Sequence, residues 1–395
     1  MAKSILFLGG SNYLIPLITS LKEKNFHIIT CDYLPSNEAH EFSDEYWNIS
    51  ILDVEKILEK ANKYKIILVS SFACDPGVIS AAYISKKLGL PSPPITSVEI
   101  LQDKNKFRNY LSSMNFHTPI HFSGNQDVIN SKLKFPFIIK PTDSAGSKGV
   151  QIVNNLSQFH KAKNEAINYS IKGNYIIEEL ITSEWDPIDT DFVINKGKLI
   201  HLNNLNGQLF DSTSSGPLTP IGFYWPCQWP AEAVKDLYRQ LELLLKSLNI
   251  ENCLLNVEAR LAKDGKVYLM EVSPRGGGNN LSYVSDVNSD FKVLKNYEKI
   301  LNGECLNLKS SLPSKYLLYL VIYSKSSGSY KDISLNDNYK NKLLELKVNI
   351  NIGEKIEMIS GANTTFGFLL LNFNSKIELM KAIENSNSIY SIDLI

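Results

Sequence analysis

Cysteine is scarce in this sequence, and the few cysteines stand far apart. The 395 residues include five of them, and none has another close by. An odd, scattered set of thiols predicts neither a disulfide framework nor a zinc site, and it is typical of a cytoplasmic protein. The histidines His117 and His121 have a spacing that could serve a metal, but no third ligand accompanies them, so structural roles are favoured.

Long apolar runs and an excess of charge are missing as well. No apolar run approaches the roughly 20 residues of a membrane-spanning helix, and the one near the start is too short for a signal peptide. Lys plus Arg and Asp plus Glu each number 41, which argues against a nucleic-acid or membrane-surface binder. We expect a globular protein with no nucleic-acid or membrane partner, while a homodimer is left open.

The order of strand and helix patterns divides the chain into three parts of mixed α/β and α+β class. A chain of this length is too long for a single hydrophobic core, so more than one domain is expected. Residues 1–98 alternate strand and helix patterns, which predicts a parallel α/β sheet. Residues 99–305 carry strand hairpins separated by helices, and residues 306–395 predict a small α+β domain.

Small and acidic residues follow two strands of the predicted N-terminal sheet. Gly9 and Gly10 come directly after the first strand, but a full GxGxxG is absent, so a dinucleotide site is disfavoured. These glycines are expected to let a small substrate or the backbone approach closely. Asp75 follows the strand at 67–71, and it is either a ligand-binding residue at the sheet edge or the cap of the next helix.

The stretch 252–280 predicts a hairpin with two facing glutamates. Asp264-Gly265 is the signature of a two-residue type I′ turn. The register that this turn sets places Glu258 opposite Glu271, and Asn256 opposite Ser273 on the same face. The opposite face is almost wholly apolar and is expected to pack on the core: Val257, Ala259, Leu261, Tyr268, Met270 and Val272.

Facing carboxylates repel each other, so some other interaction must offset the cost. A divalent cation between Glu258 and Glu271 would do so, and oxygen ligands select magnesium or manganese. The alternative is an exposed hairpin whose glutamates point into water. Arg275 lies just past the second strand, where a guanidinium would stabilise charge that develops in phosphoryl transfer. The run of Gly276, Gly277 and Gly278 would let the backbone approach a ligand.

Two lysines and a loop of small residues lie upstream. Lys140 ends a predicted strand, and the small residues at 142–149 precede the next strand. A flexible loop of this kind suits phosphate oxygens, although it is not a Walker loop because GxxxxGK[ST] is absent. Lys104 opens a predicted helix, where a solvated charge is the usual role. The strand at 175–181 carries Glu178 and Glu179; their backbone and the Glu178 side chain could meet an adenine edge, or this could be an ordinary edge strand.

In their order along the chain, these elements resemble the ATP-grasp superfamily. Its pattern runs from an Asp-Lys helix start and a strand-end lysine through a phosphate loop and a Glu-headed hinge to two metal glutamates and an arginine. The matching positions here are 103–104, 140, 144–149, 178–181, 258 and 271–275. The resemblance covers roughly residues 100–305, and the flanking parts are similar to those of biotin carboxylase, carbamoyl phosphate synthetase and glycinamide ribonucleotide synthetase.

The resemblance implies ATP and Mg²⁺ (or Mn²⁺) as cofactors, with a lid at about 115–175. The resemblance also implies which residues contact the ribose: Asp186, with Glu184, Asp189 and Asp191 as alternatives. The implied nucleotide contacts are Lys104, Lys140, Ser144, Gly146, Ser147, Gly149, Glu178, Glu179, Leu180, Ile181 and Asp186. Lys140 and Arg275 would be catalytic, and Glu258 and Glu271 would bind the metal. Ser273 replaces the usual asparagine, so either Ser273 or Asn256 would complete a second metal site.

The activity implied is ATP-dependent activation of a carboxylate as an acyl phosphate, which an amine then attacks. One alternative is a bicarbonate-activating carboxylase, and another is a nucleotide-binding module that has lost catalysis, which Ser273 motivates. Substrate contacts are expected from Gly9, Gly10 and Asp75, from 203–224 and from 275–280. The segment 211–224 is either a substrate loop or a surface excursion.

Overall fold

The protein is represented by a computed structural model, which describes residues 3–123, 133–144, 146–202, 204–210, 219–306, 315–361 and 364–395. Its N-terminal part is a parallel sheet of order β3-β2-β1-β4. The elements are β1 (Ser4–Leu8), α1 (Ile15–Lys22), β2 (His27–Asp32), β3 (Glu45–Asn48), α2 (Val54–Ala61), β4 (Ile66–Ser70) and α3 (Pro76–Lys87). All five residues of β1 are buried, as expected for a central parallel strand covered on both faces. The predicted parallel α/β sheet is confirmed.

The middle part contains two antiparallel sheets. The base sheet has the order β10-β9-β13-β14, and the lid sheet has the order β5-β8-β6-β7. The elements are α4 (Ile95–Gln102), α5 (Lys104–Ser113), β5 (His121–Ser123), β6 (Phe137–Pro141), β7 (Gln151–Val153), α6 (Leu156–Tyr169), β8 (Tyr175–Glu179), β9 (Ile188–Asn195), β10 (Lys198–Ile200), β11 (Gly207–Phe210), β12 (Pro220–Trp225), α7 (Ala231–Ser247), β13 (Cys253–Leu261), β14 (Val267–Ser273), α8 (Leu281–Asn288) and α9 (Tyr297–Leu301).

The hairpin of β13 and β14 has the predicted pairing of Glu258 with Glu271, but its turn and register differ from the prediction. Its turn is not the predicted two-residue type I′ turn, because the Ala262 amide bonds to the Lys266 carbonyl across a three-residue loop. This longer loop shifts the register by one residue, and a bulge at Met270 shifts it back. Glu258 therefore still faces Glu271, and Asn256 still faces Ser273.

The same shift corrects the predicted apolar face of the hairpin. Near the turn, Ala259 pairs with Leu269 and Arg260 pairs with Tyr268. Leu269 is wholly buried, so it takes the core position opposite Ala259 that was predicted for Met270. Val267 takes the position opposite Leu261 that was predicted for Tyr268, and Tyr268 lies with Arg260 on the other face. Because side chains alternate along a strand, the one-residue difference in loop length exchanges the two faces of β14 between the turn and the bulge, while Ala259 and Leu261 on β13 stay in the core as predicted.

The C-terminal part completes a five-stranded sheet of order β11-β12-β15-β19-β17. The elements are β15 (Tyr316–Ile322), β16 (Gly328–Leu335), α10 (Asp337–Lys340), β17 (Leu343–Val348), β18 (Lys355–Ile356), β19 (Gly367–Phe373), α11 (Lys376–Glu384) and β20 (Tyr390–Leu394). Strands β11 and β12 of this sheet come before the predicted domain boundary at residue 305, and the other three strands come after it. The position of that boundary stays a prediction. Of the expected loop 211–224, residues 211–218 lie outside the described residues, and most of the remainder forms β12. None of the described helices is both long and apolar enough to cross a membrane.

Candidate functional site

Three adjacent strands of the base sheet present two rows of polar side chains on one face. The first, which we call the carboxylate row, consists of Asp189 on β9, Glu258 on β13 and Glu271 on β14, in direct cross-strand register. The second consists of Asp191, Asn256 and Ser273, in the same strand order. Alternation along the strands turns the residues between these rows toward the core. Sequence patterns identified the two glutamates of the carboxylate row but not its third member.

Burial and mutual repulsion perturb the carboxylate row. Burial first, and then the charges of Glu271 and Asp189, raise the pKa of Glu258 to about 8. Burial likewise raises the pKa of Asp189 to about 7, with Asp191 adding to the effect. A carboxyl group in this position holds either a proton or a cation. The row therefore has the chemistry of a site for a hard divalent cation.

The ligand set supplied by the protein is small. Within the described ranges, no three Asp, Glu, His or Cys side chains converge closely enough to hold a metal. Glu258 and Glu271 face each other directly, and Mg²⁺ in nucleotide sites is commonly held by one or two carboxylates together with phosphate oxygens. The two glutamates fit such a shared site, and their assignment as metal ligands stays a prediction.

Ser273 and Asn256, the two candidates for a second metal site, are both engaged by protein groups. The Ser273 hydroxyl donates to the Asp75 carboxylate at 3.1 Å and accepts from the Gln102 amide at 2.8 Å. The Asn256 amide nitrogen donates to Asp189 at 2.7 Å. Its amide oxygen accepts from the Arg275 guanidinium at 3.3 Å. Which of the two completes a second metal site stays open.

Arg275 makes a two-pronged ion pair with Asp75. Its Nε and Nη2 atoms donate to the two carboxylate oxygens at 2.6 and 2.7 Å. Burial alone would raise the pKa of Asp75, but Arg275 outweighs it and the pKa is lowered. Asp75 is the N-cap residue of α3, yet its side chain makes no capping hydrogen bond. Of the two predicted roles for Asp75, the structure thus excludes side-chain capping and shows a link from the N-terminal sheet to the end of β14.

The glycines after Arg275 allow close packing of protein atoms. A Cβ on Gly276 would lie 2.3 Å from the Phe72 ring, and one on Gly277 would lie 2.7 Å from Asn256. The Gly277 amide donates to Asp191 at 2.8 Å. Gly278 is less crowded, since the atom nearest its Cβ position is 3.6 Å away. Of these three glycines, Gly278 therefore has the most space around it for the predicted substrate contact.

Gly9 and Gly10 are also approached by side chains of the protein. A Cβ on Gly10 would lie 2.2 Å from the His40 ring, and one on Gly9 would lie 2.9 Å from Cys74. Gly9 moreover has a φ of +106°, which other residues rarely adopt. Close packing therefore explains both glycines in the structure, and their contact with substrate stays a prediction.

Lys104 connects the phosphate loop to the carboxylate row. Its ammonium group donates to the Ser144 carbonyl at 3.1 Å and pairs with Glu271 at 2.8 Å. Burial alone would lower the pKa of Lys104, but Glu271 outweighs it and the pKa is raised. Lys104 is thus a buried, charged group placed between the two features predicted to hold phosphate and metal.

The described residues of the loop have the backbone conformations that a tight turn needs. Gly146, Ser147 and Gly149 all have positive φ, at 67°, 58° and 72°. A Cβ on Gly149 would lie 2.9 Å from Pro141, so this glycine is required for the loop to close over β6. Ala145 lies outside the described residues. Phosphate binding by the loop stays a prediction.

Lys140 belongs to a buried group of three charges that sequence patterns did not reveal. Its ammonium group donates to Glu178 at 2.7 Å, and Nε of Arg108 donates to the other Glu178 oxygen at 2.8 Å. Burial lowers the pKa of Lys140, and the nearby Arg108 adds to this effect. Burial alone would raise the pKa of Glu178, but the two cations outweigh it and hold the pKa at about 2.

This arrangement corrects the expectation for the Glu178 side chain. The side chain is wholly buried between Arg108 and Lys140, so in this structure it is not presented to an adenine. Arg108 was missed because one arginine in a helix is a weak pattern. The available signal was its position one turn after Lys104, beside Phe107 and Leu111 on the buried side of α5.

The predicted hinge begins where β8 ends. The Glu179 amide donates to the Ile120 carbonyl at 2.8 Å, and its carboxylate accepts from the Ile120 amide at 3.2 Å. Leu180 and Ile181 then leave the lid sheet, so their backbone groups stay the candidates for adenine. Asp186 is exposed and accepts from the Tyr224 hydroxyl at 2.8 Å, and its contact with ribose stays a prediction.

A cleft of about 260 Å³ joins several of these groups. It lies between α3, α5 and β14, and its walls include Asp75, Lys104, Ser144, Glu271 and Ser273. The structure thus brings residues from the N-terminal sheet, the phosphate loop and the carboxylate row to one cavity. A small anionic molecule there would meet a lysine together with a potential metal site.

Part of the chain matches a known family model. Residues 133–283 match the family model of the ATP-grasp domain, which confirms the resemblance. The carbamoyl phosphate synthase large chain of Neisseria meningitidis is 22% identical over 269 residues, which are 65% of this chain and 24% of that protein. This chain therefore spans about a quarter of the length of that relative.

In two further similar proteins, the match covers a larger share of both chains. The alanine–anticapsin ligase of Bacillus amyloliquefaciens is 22% identical over 316 residues, which are 72% of this chain and 65% of that protein. The crystal structure of the L-amino acid ligase of Bacillus licheniformis has a TM-score of 0.84 at 18% identity, covering 100% of this chain and 99% of that one. At this identity the likeness shows the fold, and it confirms the predicted α/β, ATP-grasp and α+β architecture.

Proposed function

We propose, from the premise that residues 133–283 are an ATP-grasp domain, that this protein is an ATP-dependent carboxylate–amine ligase. It phosphorylates a carboxylate, releases ADP and joins the acyl group to an amine. The observation that carries the proposal is the pair of facing carboxylates, Glu258 and Glu271, flanked by Lys104 and followed by Arg275. Two facing carboxylates that would share a metal with phosphate oxygens, together with the positive charges of Lys104 and Arg275, suit phosphoryl transfer, which depends on positioning and charge stabilisation.

The residues present fit Mg·ATP. Glu258 and Glu271 would hold the metal, because a carboxyl with so raised a pKa gains a stabilising partner when a cation replaces its proton. Lys104 and Lys140 would hold phosphates, and Leu180 and Ile181 would contact adenine. When bound, Mg·ATP supplies the γ-phosphoryl group that turns a carboxylate oxygen into a leaving group.

Arg275 is the residue proposed to act on the reacting carboxylate. Asp75 grips one side of its guanidinium in two hydrogen bonds, so the group is already oriented before a substrate binds. A fixed positive charge next to the carboxylate row would stabilise negative charge on the transferring group and then on the acyl phosphate. The lid sheet would exclude water during the lifetime of this intermediate.

The relatives favour amino acids as the first substrates to test. One similar protein is named an alanine–anticapsin ligase and another an L-amino acid ligase. We propose an amino-acid carboxylate as the donor and an amine as the acceptor. Activation of bicarbonate is the rival, since carbamoyl phosphate synthase is also similar over part of its length.

The first product of the reaction can be trapped. With Mg·ATP and the correct carboxylate, hydroxylamine is expected to yield a hydroxamate without any amine acceptor, because it attacks acyl phosphates. ADP and phosphate should be the only products from the nucleotide. The measurement is a colorimetric hydroxamate assay over a panel of amino acids, with chromatography of the nucleotides. Formation of AMP would contradict the mechanism, and ADP release with bicarbonate alone would favour the carboxylase.

Metal affinity is expected to rise with pH. Because the pKa of Glu258 is about 8, a metal must displace its proton, and apparent affinity should increase by about tenfold per unit from roughly pH 6 to 8. Titration of Mn²⁺ in the presence of ADP, followed by electron paramagnetic resonance, measures this. Glu258→Gln should bind more weakly and lose most of the pH dependence. An unchanged pH profile in that variant would show that Glu258 is not the titrating ligand.

The same raised pKa determines the sign of a stability effect. Without metal, the folded protein keeps on Glu258 a proton that the unfolded chain loses near the ordinary pKa of 4.5. The stabilisation is therefore complete at low pH and is lost as pH rises from 4.5 to about 8. Over this pH range the melting temperature of the metal-free protein is expected to fall relative to that of Glu258→Gln. This measurement needs no nucleotide and serves as a control for the binding experiment.

A further inference from the structure

Arg108 occupies a position that no substrate can reach. Its side chain is wholly buried, on α5 one turn after Lys104. A buried guanidinium is costly unless every donor finds an acceptor. Its acceptors lie on two different sheets: Glu178 on β8 of the lid sheet, and two backbone carbonyls on β14 of the base sheet.

The two carbonyls belong to the bulge that restores the register of β14. Nη1 of Arg108 donates to the Leu269 carbonyl at 3.2 Å, and Nη2 donates to the Met270 carbonyl at 2.8 Å. Met270 has no partner on β13, and β14 is the outer strand of the base sheet, so buried carbonyl groups along it need partners from outside the ladder. The guanidinium of Arg108 satisfies them.

The bulge decides which way Glu271 points. Between the turn and the bulge, Ala259 pairs with Leu269. If that register continued without the extra residue, Val257 would oppose Glu271, and its carboxylate would point into the core. With Met270 bulged, Glu271 instead opposes Glu258. Formation of the carboxylate row therefore depends on the bulge.

We propose that Arg108 is a positioning residue that sets the metal and phosphate groups of the site at the same time. Through the bulge it keeps Glu271 opposite Glu258, and through Glu178 it places Lys140. This inference rests on the proposed function, because it concerns the same site. Arg108 itself touches neither substrate nor metal.

The test is equilibrium binding of Mn²⁺ in the presence of ADP. Arg108→Met is expected to weaken Mn²⁺ binding about 10- to 100-fold, the loss typical of removing a group that orients a metal ligand. Arg108→Lys keeps a charge beside Glu178 but not the fork of donors, so it should fold and still lose affinity. Arg239→Met is the matched control, since Arg239 is an exposed residue of α7 that pairs with Asp236 on the same helix.

Deletion of Met270 distinguishes positioning from general stabilisation. Without the bulged residue, the register near the turn continues and brings Glu271 opposite Glu258 directly. Arg108→Met is therefore expected to cost clearly less Mn²⁺ affinity in this background than in the unaltered protein, and the loss that remains is the part transmitted through Glu178 to Lys140. A residue that only stabilised the fold would cost as much in the deletion background as in the unaltered protein.

Each outcome bears on a different claim. If the unaltered protein binds Mn²⁺ with ADP and Arg108→Lys binds equally well, the positioning role is wrong while the proposed function stands. If deletion of Met270 fails to rescue Arg108→Met, the bulge is not the means of action and the proposal is wrong. If the unaltered protein does not bind Mn²⁺ with ADP at all, the proposed function fails, and this role fails with it.

Discussion

Replacement of Glu271 by Gln is expected to lower ATP turnover by at least about 100-fold. Removing a group that only orients a metal ligand costs up to about 100-fold, and loss of a ligand itself should cost at least as much. Gln keeps the size of the side chain and its bond to Lys104, but it removes the charge that faces Glu258. The measurement is ADP release at saturating Mg·ATP and amino acid.

Stability separates this effect from unfolding. Without metal the facing Glu258 keeps its proton near neutral pH, so the substitution mainly weakens a partly exposed ion pair with Lys104, which contributes less than about 1 kcal/mol. The melting temperature without metal should therefore change little. Glu242→Gln, the same change on the exposed side of α7, is the control. Turnover close to that of the unaltered protein would contradict the role of Glu271 as a metal ligand.

Replacement of Arg275 by Met is expected to lower turnover by about 1,000-fold or more, as for arginines that stabilise a transferring phosphoryl group. It should also destabilise the protein by about 3 kcal/mol, because Asp75 is left mostly buried without its partner. Urea unfolding and ADP release measure the two effects separately.

A second substitution separates the two roles of Arg275. Asp75→Asn combined with Arg275→Met removes the unpaired charge, so most of the lost stability should return. Turnover should stay low, because no guanidinium is present to act on the acyl phosphate. Recovery of turnover together with stability would mean that Arg275 serves only to hold Asp75.

The sequence by itself determined the elements whose signals are local. Alternating strand and helix patterns predicted the parallel sheet, and the patterns of residues 306–395 predicted the mixed strands and helices found there. The chain order of lysines, small-residue loop and glutamates was sufficient to indicate an ATP-grasp domain. These features are readable because propensity and periodicity depend on residues within a few positions of each other.

The facing pair of Glu258 and Glu271 was predicted correctly from an incorrect turn. Asp264-Gly265 indicated a two-residue loop, whereas the loop has three residues, and the bulge at Met270 compensates. A bulge has no reliable local pattern, because it is stabilised here by Arg108 from a distant helix.

Only the tertiary structure decided the partners of the charged residues. Asp75 and Arg275 are 200 positions apart in sequence, yet they form the ion pair that joins the N-terminal sheet to the site. Asp189 joins the carboxylate row through the pairing of β9 with β13, and Glu178 is buried between Arg108 and Lys140. The physical reason is that buried charges require partners, and which partners they meet depends on how strands and helices far apart in the chain pack together.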